Sequence, residues 1–280
     1  MIKVLKAGML TSIQDLGRMG YRNYGVPVSG VMDLQSALLS NTILRNDKSD
    51  AVMEITLQGP KLQFETKSKI AITGADLSPT LNGDQVLMNS SVRVEKDDVL
   101  QFGKRRSGAR SYLAISGGFQ TEVKLKSRSQ YQGLTAKNRI EEGDEIAFHS
   151  SFQADTLQEF SVFKSSIDFQ NDTLDVLAGP EFELLNGHQK TTLFNLGFTI
   201  GFNNRMGYQL DEPIANKLTP ILSSAVLPGT IQLTPSGKLI VLMRDGQTTG
   251  GYPRILQLTF SSIDHLAHKI QHEVVKFQLK

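Results

Sequence analysis

Ile231-Gln232-Leu233-Thr234-Pro235-Ser236-Gly237-Lys238-Leu239-Ile240-Val241-Leu242-Met243 is the stretch that decides the fold. Two short apolar runs, 231–234 and 239–243, flank a Pro-Ser-Gly turn whose first residue has a fixed φ. Short runs rich in aliphatic residues and bounded by turn residues are typical of strands. The stretch therefore predicts two neighbouring strands, the second of them buried.

The same pattern extends over most of the chain. Asn82-Gly83 predicts a type I′ hairpin turn, because both residues tolerate positive φ. Two segments predict helices, one capped by Asp33 and one capped by Ser262. Since predicted strands outnumber helices several-fold, we expect a mainly β protein built of barrel-like modules with a few short helices. The other predicted strands are 52–57, 61–64, 69–72, 91–95, 99–102 and 110–115.

A weak internal repeat divides the chain. Residues 97–102, 143–148 and 272–277 each place a turn position before an acid, followed by apolar residues that alternate towards a phenylalanine. Each copy predicts a turn that enters a half-buried strand. We therefore expect two similar β modules, residues 1–155 and 156–280, with the boundary in the polar stretch that begins at residue 150.

Composition excludes several classes of function. Lys plus Arg number 30 and Asp plus Glu number 28, so no overall charge favours nucleic acid or acidic membranes. Cysteine is absent, which excludes disulfides, thiolate catalysis and Cys-ligated zinc. No apolar stretch approaches the roughly 18 residues of a membrane span, and the N-terminus lacks the apolar block of a signal peptide. We expect a soluble cytoplasmic protein without nucleic-acid or membrane partners.

The loop after Met243 carries the densest chemistry. Its sequence, Asp245-Gly246-Gln247-Thr248-Thr249-Gly250-Gly251-Tyr252-Pro253-Arg254, offers a carboxylate, an amide, two hydroxyls, a phenol and a guanidinium. The glycine pair permits positive φ, so a ligand could lie against bare backbone N–H groups. A polar loop that only closes a hairpin is the alternative.

A second loop near the N-terminus is also rich in functional groups. Gln14, Asp15 and Arg18 offer an acceptor, a charge and a planar fork that suits a carboxylate or phosphate. The loop then enters the helix capped by Asp33, whose N-terminus can bind an anion. The alternative is a self-satisfied loop in which Arg18 pairs with Asp15.

Several uncommon motifs occur along the chain in the same order as in one known family, and the chain resembles that family. It is the group of 5-oxoprolinase C subunits, also called allophanate hydrolase subunit 2 or the biotin-dependent carboxyltransferase family. The resemblance implies a cyclophilin-like, mostly β architecture that pairs directly with a sister protein, the 5-oxoprolinase B subunit. The motifs include Gln14-Asp15-Leu16-Gly17-Arg18, Gly25-Val26-Pro27-Val28-Ser29-Gly30, Ser127-Arg128-Ser129, Asn204-Arg205-Met206-Gly207-Tyr208 and the loop after Met243.

The resemblance implies three possible activities. In bacterial 5-oxoprolinase, the A, B and C subunits open 5-oxo-L-proline to L-glutamate with ATP. Similar modules of urea carboxylase and urea amidolyase transfer a carboxyl group from biotin to urea, and another member of the family antagonises a histidine-kinase inhibitor. The sequence has no sign of a fused biotin carrier, which favours the 5-oxoprolinase type. We expect this chain to be inactive alone, with ATP bound in the assembled complex and biotin needed only under the alternative.

Four positions, in three motifs, depart from the family pattern. Gln130 stands where the family often has threonine, and Asn203-Asn204 replaces the common Ser-Asp pair. Arg244 replaces the usual alanine and adds a charge beside the loop after Met243. Asn204 in place of aspartate removes a possible acid or base and keeps only hydrogen bonding.

Lactam opening and carboxyl transfer share one requirement, which is a set of donors aimed at a developing oxyanion. The catalytic candidates are Asp245 as general base or as a group that orients a cation, with Gln247, Arg205 and Tyr208 as donors. Arg205 and Tyr208 could instead lock a turn. Residues expected to bind substrate or an anion are Gln14, Arg18, Arg128, Thr248, Thr249, Gly250, Gly251 and Arg254.

Arg128 and a group of three histidines each have a second interpretation. Arg128 could be an interface residue towards the B subunit rather than an anion-binding residue. The spacing of His265, His268 and His272 would suit a metal on a helix, but a solvated helix face explains it better. We therefore expect no metal site.

Overall fold

The computed structural model describes residues 1–149, 163 and 167–280. The chain forms two compact units, one of Met1–Arg18 with Ser29–Ile167 and one of Met19–Val28 with Asp168–Lys280. The module boundary predicted at residue 155 lies outside the described residues. Among the residues that are described, no helix has the length and apolar character needed to cross a membrane.

The N-terminal unit is built from two antiparallel sheets. The six-stranded sheet has the order β11-β1-β4-β9-β6-β7, and the five-stranded sheet has the order β2-β3-β10-β5-β8. The strands are β1 (Ile2–Lys6), β2 (Leu10–Gln14), β3 (Val52–Thr56), β4 (Lys61–Phe64), β5 (Ser68–Asp76), β6 (Thr80–Leu81), β7 (Asp84–Gln85), β8 (Ser91–Val94), β9 (Val99–Gln101), β10 (Ser107–Ile115) and β11 (Glu145–Ile146). Asn82 and Gly83 join β6 to β7 with φ values of 52° and 97°, which confirms the predicted hairpin turn.

The core of the N-terminal unit lies between these sheets. Strand β4 alternates half-buried and buried residues, as expected of a strand with one face on a core. Strand β10 is buried at eight of its nine positions, because it pairs with β3 on one side and β5 on the other. One apolar cluster joins both sheets and includes Ile2, Leu62, Phe64 and Leu100 of the first and Ile13, Met53, Ile72 and Leu113 of the second.

Helix α1 (Leu34–Ile43) begins where the sequence predicts. The carboxylate of Asp33 accepts a hydrogen bond from the N–H of Ser36, which satisfies a backbone donor of the first turn. The helix packs on β5 and β10. A capping bond of this kind is worth about 1 kcal/mol.

A buried polar network holds the segment before α1 against the sheet. Glu54 accepts hydrogen bonds from the N–H of Met32 at 2.7 Å and from the hydroxyl of Tyr112 at 2.9 Å. The same hydroxyl accepts from the N–H of Asp33 at 2.8 Å. Burial, with the nearby charge of Glu54, raises the pKa of Tyr112 well above its ordinary value, so the phenol stays protonated and donates. The network fixes the end of the N-terminal loop, residues 14–33, which contains four glycines and is called the glycine-rich loop below.

The C-terminal unit is a closed barrel of seven strands in the order β12-β19-β16-β17-β14-β13-β20. Strand β20 closes it, pairing parallel with β12 and antiparallel with β13. The strands are β12 (Thr173–Ala178), β13 (Phe198–Asn203), β14 (Gly207–Leu210), β16 (Thr230–Leu233), β17 (Leu239–Leu242), β19 (Arg254–Leu258) and β20 (Val274–Leu279). A separate two-stranded ribbon pairs β15 (Ser224–Ala225) with β18 (Thr249–Gly250). The two neighbouring strands predicted from residues 231–243 are β16 and β17, which pair with Ile231 opposite Val241.

Two helices complete the C-terminal unit. Helix α3 (Phe260–Leu266) is capped by Thr259, whose side chain accepts the N–H of Ser262. The predicted cap at Ser262 is wrong, because the helix begins one turn earlier. Helix α2 (Gly187–Asn195) was not predicted from the sequence. It begins with a capping box between Asn186 and Gln189.

The internal repeat has a structural cause. The acids at its second position, Asp98, Asp144 and Glu273, each accept the backbone N–H of the residue three positions earlier. The residue before each acid, Asp97, Gly143 or His272, has positive φ. Each copy then enters β9, β11 or β20, which confirms the predicted turn and strand.

Candidate functional site

The loop after Met243 begins with a buried ion pair. Arg205 Nε donates to Asp245 Oδ2 at 2.8 Å, and Arg205 Nη2 donates to Asp245 Oδ1 at 3.2 Å. Each side chain is only 10% exposed. The backbone N–H of Asp245 also donates to the carbonyl of Arg205. Both carboxylate oxygens of the predicted general base are thus engaged by one guanidinium in a bidentate, charge-assisted pair.

The other residues of the Asn204–Tyr208 motif have structural partners. Asn204 Oδ1 accepts from the N–H groups of Met206 at 2.7 Å and Gly207 at 3.1 Å, and so closes the turn between β13 and β14. Tyr208 is fully buried, and its hydroxyl lies 3.4 Å from the carbonyl oxygen of Lys269. The structure therefore brings Arg205 to Asp245, while Tyr208 belongs to the core of the barrel unit.

The middle of the loop presents side chains to solvent. Gln247 and Thr249 are exposed, and Thr248 is half-buried. Thr249 lies in the ribbon strand β18, and the carbonyl of Thr248 accepts the N–H of Val226 at 3.1 Å. No hydrogen bond of the Gln247 side chain is found within the described part of the chain. The side-chain amide of Gln247 is thus available to a ligand, while the backbone around it is held by hydrogen bonds.

Gly250 is constrained by a close contact rather than by the backbone conformation that the sequence predicted for the glycine pair. Neither Gly250 nor Gly251 is among the glycines with positive φ. A Cβ on Gly250 would lie 2.5 Å from Nε2 of Gln232, a side chain that also donates to the carbonyl of Tyr252 at 3.3 Å. The nearest atom to a Cβ on Gly251 is 3.5 Å away, which is ordinary contact. Close approach of Gln232, rather than backbone conformation, therefore explains the glycine at 250.

Arg254 ends the loop in a second ion pair. Its Nε and Nη2 donate to Glu181 at 2.9 and 2.8 Å, and its backbone N–H donates to the same carboxylate at 2.8 Å. Its Nη1 also donates to the carbonyl of Ala225 at 3.0 Å. Hydrogen bonding to Glu181 raises the pKa of Arg254, and the bond from Arg254 lowers the pKa of Glu181. The predicted anion-binding guanidinium is therefore held by a carboxylate of the protein.

Arg22, which was not among the residues predicted from the sequence, also contacts this loop. Its Nη2 donates to the carbonyl of Val226 and, at 3.3 Å, to the carbonyl of Thr248. Partial burial lowers the pKa of Arg22, so part of its charge is desolvated against these carbonyls. Arg22 lies in the glycine-rich loop, but no local pattern indicates a partner more than 200 residues away. Arg22, Gln232 and Glu181 together fix the backbone that carries Gln247.

In the N-terminal unit, two of the sequence motifs bind each other. The carboxylate of Asp15 accepts from the hydroxyls of Ser127 and Ser129, both at 2.7 Å, and from the N–H of Arg128 at 2.6 Å. It also accepts the N–H of Gly17 at 2.8 Å. Asp15 thus joins the start of the glycine-rich loop to the Ser-Arg-Ser motif.

The predicted anion-binding residues of this unit differ in their surroundings. Gln14 is fully buried, and its amide donates to Ser12 Oγ at 2.9 Å and to the Gln130 carbonyl at 3.2 Å. Arg18 is also fully buried and donates to the carbonyls of Lys124 and Ser129. Arg128 donates to the carbonyl of Thr121 and to Gln120 Oε1, and it lines a cleft. Anion binding by these residues stays a prediction, and Arg128 has the most accessible surroundings of the three.

Two departures from the family pattern acquire partners within the structure. Arg244 lies 3.5 Å from the carboxylate of Asp264, with both side chains largely buried. Gln130 Oε1 accepts the N–H of Ile13 at 3.0 Å. Both substitutions are therefore integrated into their units.

The three histidines near the C-terminus do not converge on a metal. No group of three or more His, Cys, Asp or Glu side chains that could hold a metal is found in the described ranges. His272 is the positive-φ residue of the third repeat, and His265 lies in α3. His265 Nε2 is buried and has no hydrogen-bond partner among the residues that the structure describes.

The burial of His265 predicts that the C-terminal unit loses stability as the pH falls. Burial lowers the pKa of His265 below 6.5, and the charges of Lys269 and His268 add to this effect, against weaker opposing contributions from Asn171 and Asp168. The unfolded chain therefore binds a proton first as the pH falls, so stability is lost through and below the ordinary histidine range. We expect the unfolding free energy of His265→Gln, measured by urea titration, to fall less than that of the wild type between about pH 7.5 and 5.5. The exposed His188→Gln is the matched control, and an unchanged pH profile of His265→Gln would contradict the prediction.

Comparisons with known proteins identify relatives over nearly the whole chain. A model of the family described as "Carboxyltransferase domain, subdomain A and B" matches residues 24–279. The 5-oxoprolinase C subunit of Escherichia coli (strain K12) is 31% identical over 275 residues, which are 95% of this chain and 87% of that protein. The protein of the same name from Haemophilus influenzae is 28% identical and covers 99% of this chain and 91% of that protein. The urea amidolyase of Saccharomyces cerevisiae is 41% identical, but over only 46% of this chain and 7% of that protein.

Solved structures confirm the mainly β, cyclophilin-like architecture. The structure of TTHA0988 has a TM-score of 0.90 over 99% of this chain, and at 24% identity it shows the fold alone. The urea amidolyase of Kluyveromyces lactis is 27% identical, with a TM-score of 0.86 over 99% of this chain. This chain spans 56% of the first structure and 18% of the second. Together with the sequence relatives, these matches confirm the resemblance found in the motifs.

Proposed function

The chain belongs to the family of carboxyltransferase domains, subdomains A and B, and from that premise we propose that it is the C subunit of an ATP-dependent 5-oxoprolinase. In this function it acts with the A and B subunits, in the cytoplasm, to open the lactam of 5-oxo-L-proline to L-glutamate. One observation carries the proposal: two proteins named as 5-oxoprolinase C subunits match this chain over at least 95% of its length and at least 87% of their own.

The loop after Met243 supports this chemistry through Gln247. A five-membered lactam presents its N–H and its carbonyl oxygen on the same edge. A primary amide offers an N–H donor and a carbonyl acceptor in the same spacing, so one glutamine can make two hydrogen bonds to the lactam. As the ring opens, the lactam oxygen gains negative charge, and a donor held at that atom stabilises the transition state.

The fixed backbone around Gln247 makes such a donor effective. Arg22 and Gln232 hold carbonyls of this loop, and Arg254 pairs with Glu181 at its end. A donor that is already positioned needs no reorganisation at the moment of reaction. Thr249, exposed in β18, offers its hydroxyl as a second donor beside the amide of Gln247.

Asp245 takes a supporting part in this proposal. Both of its carboxylate oxygens already accept hydrogen bonds from Arg205. We therefore assign it to orienting the start of the loop rather than to proton transfer.

The loop does not fit the triphosphate of ATP. The sequence has no Gly-x-x-x-x-Gly-Lys-Ser/Thr motif. The guanidinium groups of Arg22, Arg205 and Arg254 already donate to oxygens of the protein. We accordingly assign ATP to the other subunits, and we propose that this chain is inactive without them.

The alternative function is carboxyl transfer from biotin to urea or a related amide. It is favoured by the 41% identity to urea amidolyase over 131 residues. An amide pair with Gln247 would also suit urea, since urea presents the same donor and acceptor edge.

Reconstitution tests the proposed function. Purified chain is mixed with the A and B subunits, and L-glutamate released from 5-oxo-L-proline is measured with and without ATP. We expect ATP-dependent release that is lost when this chain is omitted. Full turnover by the A and B subunits alone, or no turnover by the assembled three, would contradict the proposal. Carboxylation of urea in the presence of a carboxylated biotin carrier would then support the alternative.

A further inference from the structure

A cleft of about 340 Å³ lies in the N-terminal unit, away from the loop after Met243 in sequence. Its lining comes from the Ser-Arg-Ser motif, from the residues just before that motif, and from β11 with the turn that precedes it. Ligand sites in proteins span about 300–1,000 Å³, so the size suits a small molecule. Ile140 and Ile146, each 4% exposed, supply apolar surface in this lining.

Arg128 gives this cleft a positive charge, on which the carboxylate of Asp50 acts through space. Its guanidinium donates to the carbonyl of Thr121 and to Gln120 Oε1, which are both neutral oxygens. In the described part of the chain, no carboxylate lies within ion-pair distance of it. A guanidinium has five donors, so several remain available to a ligand oxygen. Arginine in this state is well suited to bind a carboxylate.

Two more donors in the same lining lack acceptors. Gln130 is 9% exposed, and its orientation is fixed because Oε1 accepts the N–H of Ile13 at 3.0 Å. Its Nε2 has no acceptor among the residues that the structure describes. Thr121 Oγ1 is buried and has no hydrogen-bond partner among the described residues. A buried hydroxyl without a partner costs about 1–3 kcal/mol, so an oxygen atom bound there would relieve that cost.

The acidic side of the cleft leaves one carboxylate available. Asp144 pairs with Lys137 and accepts the N–H of Glu141, while Glu122 pairs with Lys124 and accepts the N–H of Ala136. Glu145 is exposed, lines the cleft, and has no side-chain partner within the described ranges.

The charges select the class of ligand. The lining holds two cations, Arg128 and Lys137, and three acids, Glu122, Asp144 and Glu145. Lys124, which pairs with Glu122 from outside the lining, brings the local balance to zero. A zwitterion keeps this balance at zero, whereas a dianion such as phosphate would lower it to −2. A molecule with a carboxylate at one end and an ammonium at the other is complementary to it. We propose that this cleft is a binding site for a small zwitterionic α-amino acid, with the carboxylate on Arg128 and Gln130 and the ammonium on Glu145.

Calorimetric titration of the isolated chain tests the site with matched probes. L-Glutamine carries both charges, glutaramate is the same molecule without the ammonium, and inorganic phosphate is the dianion. We expect saturable binding of L-glutamine, weaker binding of glutaramate, and the weakest binding for phosphate. Because this chain is titrated alone, the result is independent of the lactam-opening assay.

Two substitutions locate the binding. Arg128→Gln is expected to weaken L-glutamine about tenfold or more, the loss of one charged hydrogen bond. Glu145→Gln is expected to weaken L-glutamine by a similar factor and to leave glutaramate unchanged. Because Glu145 is exposed and unpaired in the described structure, this variant keeps its fold if the arginine variant does not. Arg139→Gln and Glu142→Gln, exposed neighbours outside the lining, are the controls.

The proposal is overturned by any of three results. These are no saturable binding of L-glutamine, binding of L-glutamine that both substitutions leave intact, and phosphate binding that is tighter than that of L-glutamine. The last result would identify a general anion site.

Discussion

Replacing Asp245 by alanine is expected to lower the unfolding free energy of the C-terminal unit by roughly 3–5 kcal/mol. The substitution leaves Arg205 buried without the carboxylate that receives two of its hydrogen bonds. Loss of a carboxylate partner is costly for a cation in a site where both side chains are only 10% exposed. Urea unfolding, with hydrogen exchange of β17 to identify the C-terminal unit, measures the loss.

A double variant distinguishes the cost of removing one charge of the pair from the cost of removing side-chain volume. Arg205→Met combined with Asp245→Leu removes both charges, and buried ion pairs replaced by apolar residues are often neutral in stability. We expect the double variant to recover most of the loss. The exposed pair of Asp172 with Lys276 is the matched control, and Asp172→Ala should cost less than about 1 kcal/mol. An Asp245→Ala protein as stable as the parent would contradict this account of the pair.

This expectation changes how an activity assay is interpreted. If Asp245→Ala destabilises the unit, a loss of turnover by that variant cannot by itself identify a general base. Asp245→Asn keeps the shape and one acceptor oxygen, and is therefore the milder comparison. A side chain without structural partners gives a cleaner test of the site.

The strands were predictable because their signals are local. The hairpin of β16 and β17 follows from two apolar runs and a turn whose glycine, Gly237, has φ of 87°. The repeat was recognised as turns entering strands, although the acid-to-backbone bond of each turn became visible only in the structure. Both features depend on residues within a few positions of each other.

The helices show where local signals fail. Helix α2 buries only Gln189 and Leu193, so its sequence has no apolar stripe to indicate it. Its one signal was the pairing of Asn186 with Gln189, three positions later, in a capping box. Helix α3 begins at Phe260, which is 80% exposed, and its first turn therefore looked unlike an amphipathic helix.

The loop after Met243 was predictable from its position along the chain, but the partners of its residues were not. The sequence placed Asp245, Gln247 and Arg254 in one loop. It could not show that Arg254 meets Glu181, because that contact depends on the antiparallel pairing of β12 with β19. The contact of Arg22 with Thr248 spans 226 residues and likewise depends on the folded unit. Residues predicted to bind ligand from charge alone can thus be committed to the protein itself.

Replacing Gln247 by alanine is expected to lower turnover of the reconstituted complex about 10²-fold, as the loss of one positioned oxyanion donor does. Its side chain is exposed and has no hydrogen bond in the described structure, so the fold should be unaffected. Gln247→Glu has nearly the same shape, but a carboxylate cannot donate to the lactam oxygen. We therefore expect the glutamate variant to be at least as inactive as the alanine variant.

The most direct test of the central claim is the rate of ATP-dependent L-glutamate release by complexes that contain wild-type, Gln247→Ala or Gln271→Ala chain. Gln271 is an exposed glutamine of the same unit outside the loop, and its substitution controls for the loss of a surface amide. The account predicts a loss of about 10²-fold for Gln247→Ala alone, with unfolding free energies unchanged for both variants. A Gln247→Ala complex that assembles and turns over at the wild-type rate would contradict the claim that this loop takes part in opening the lactam.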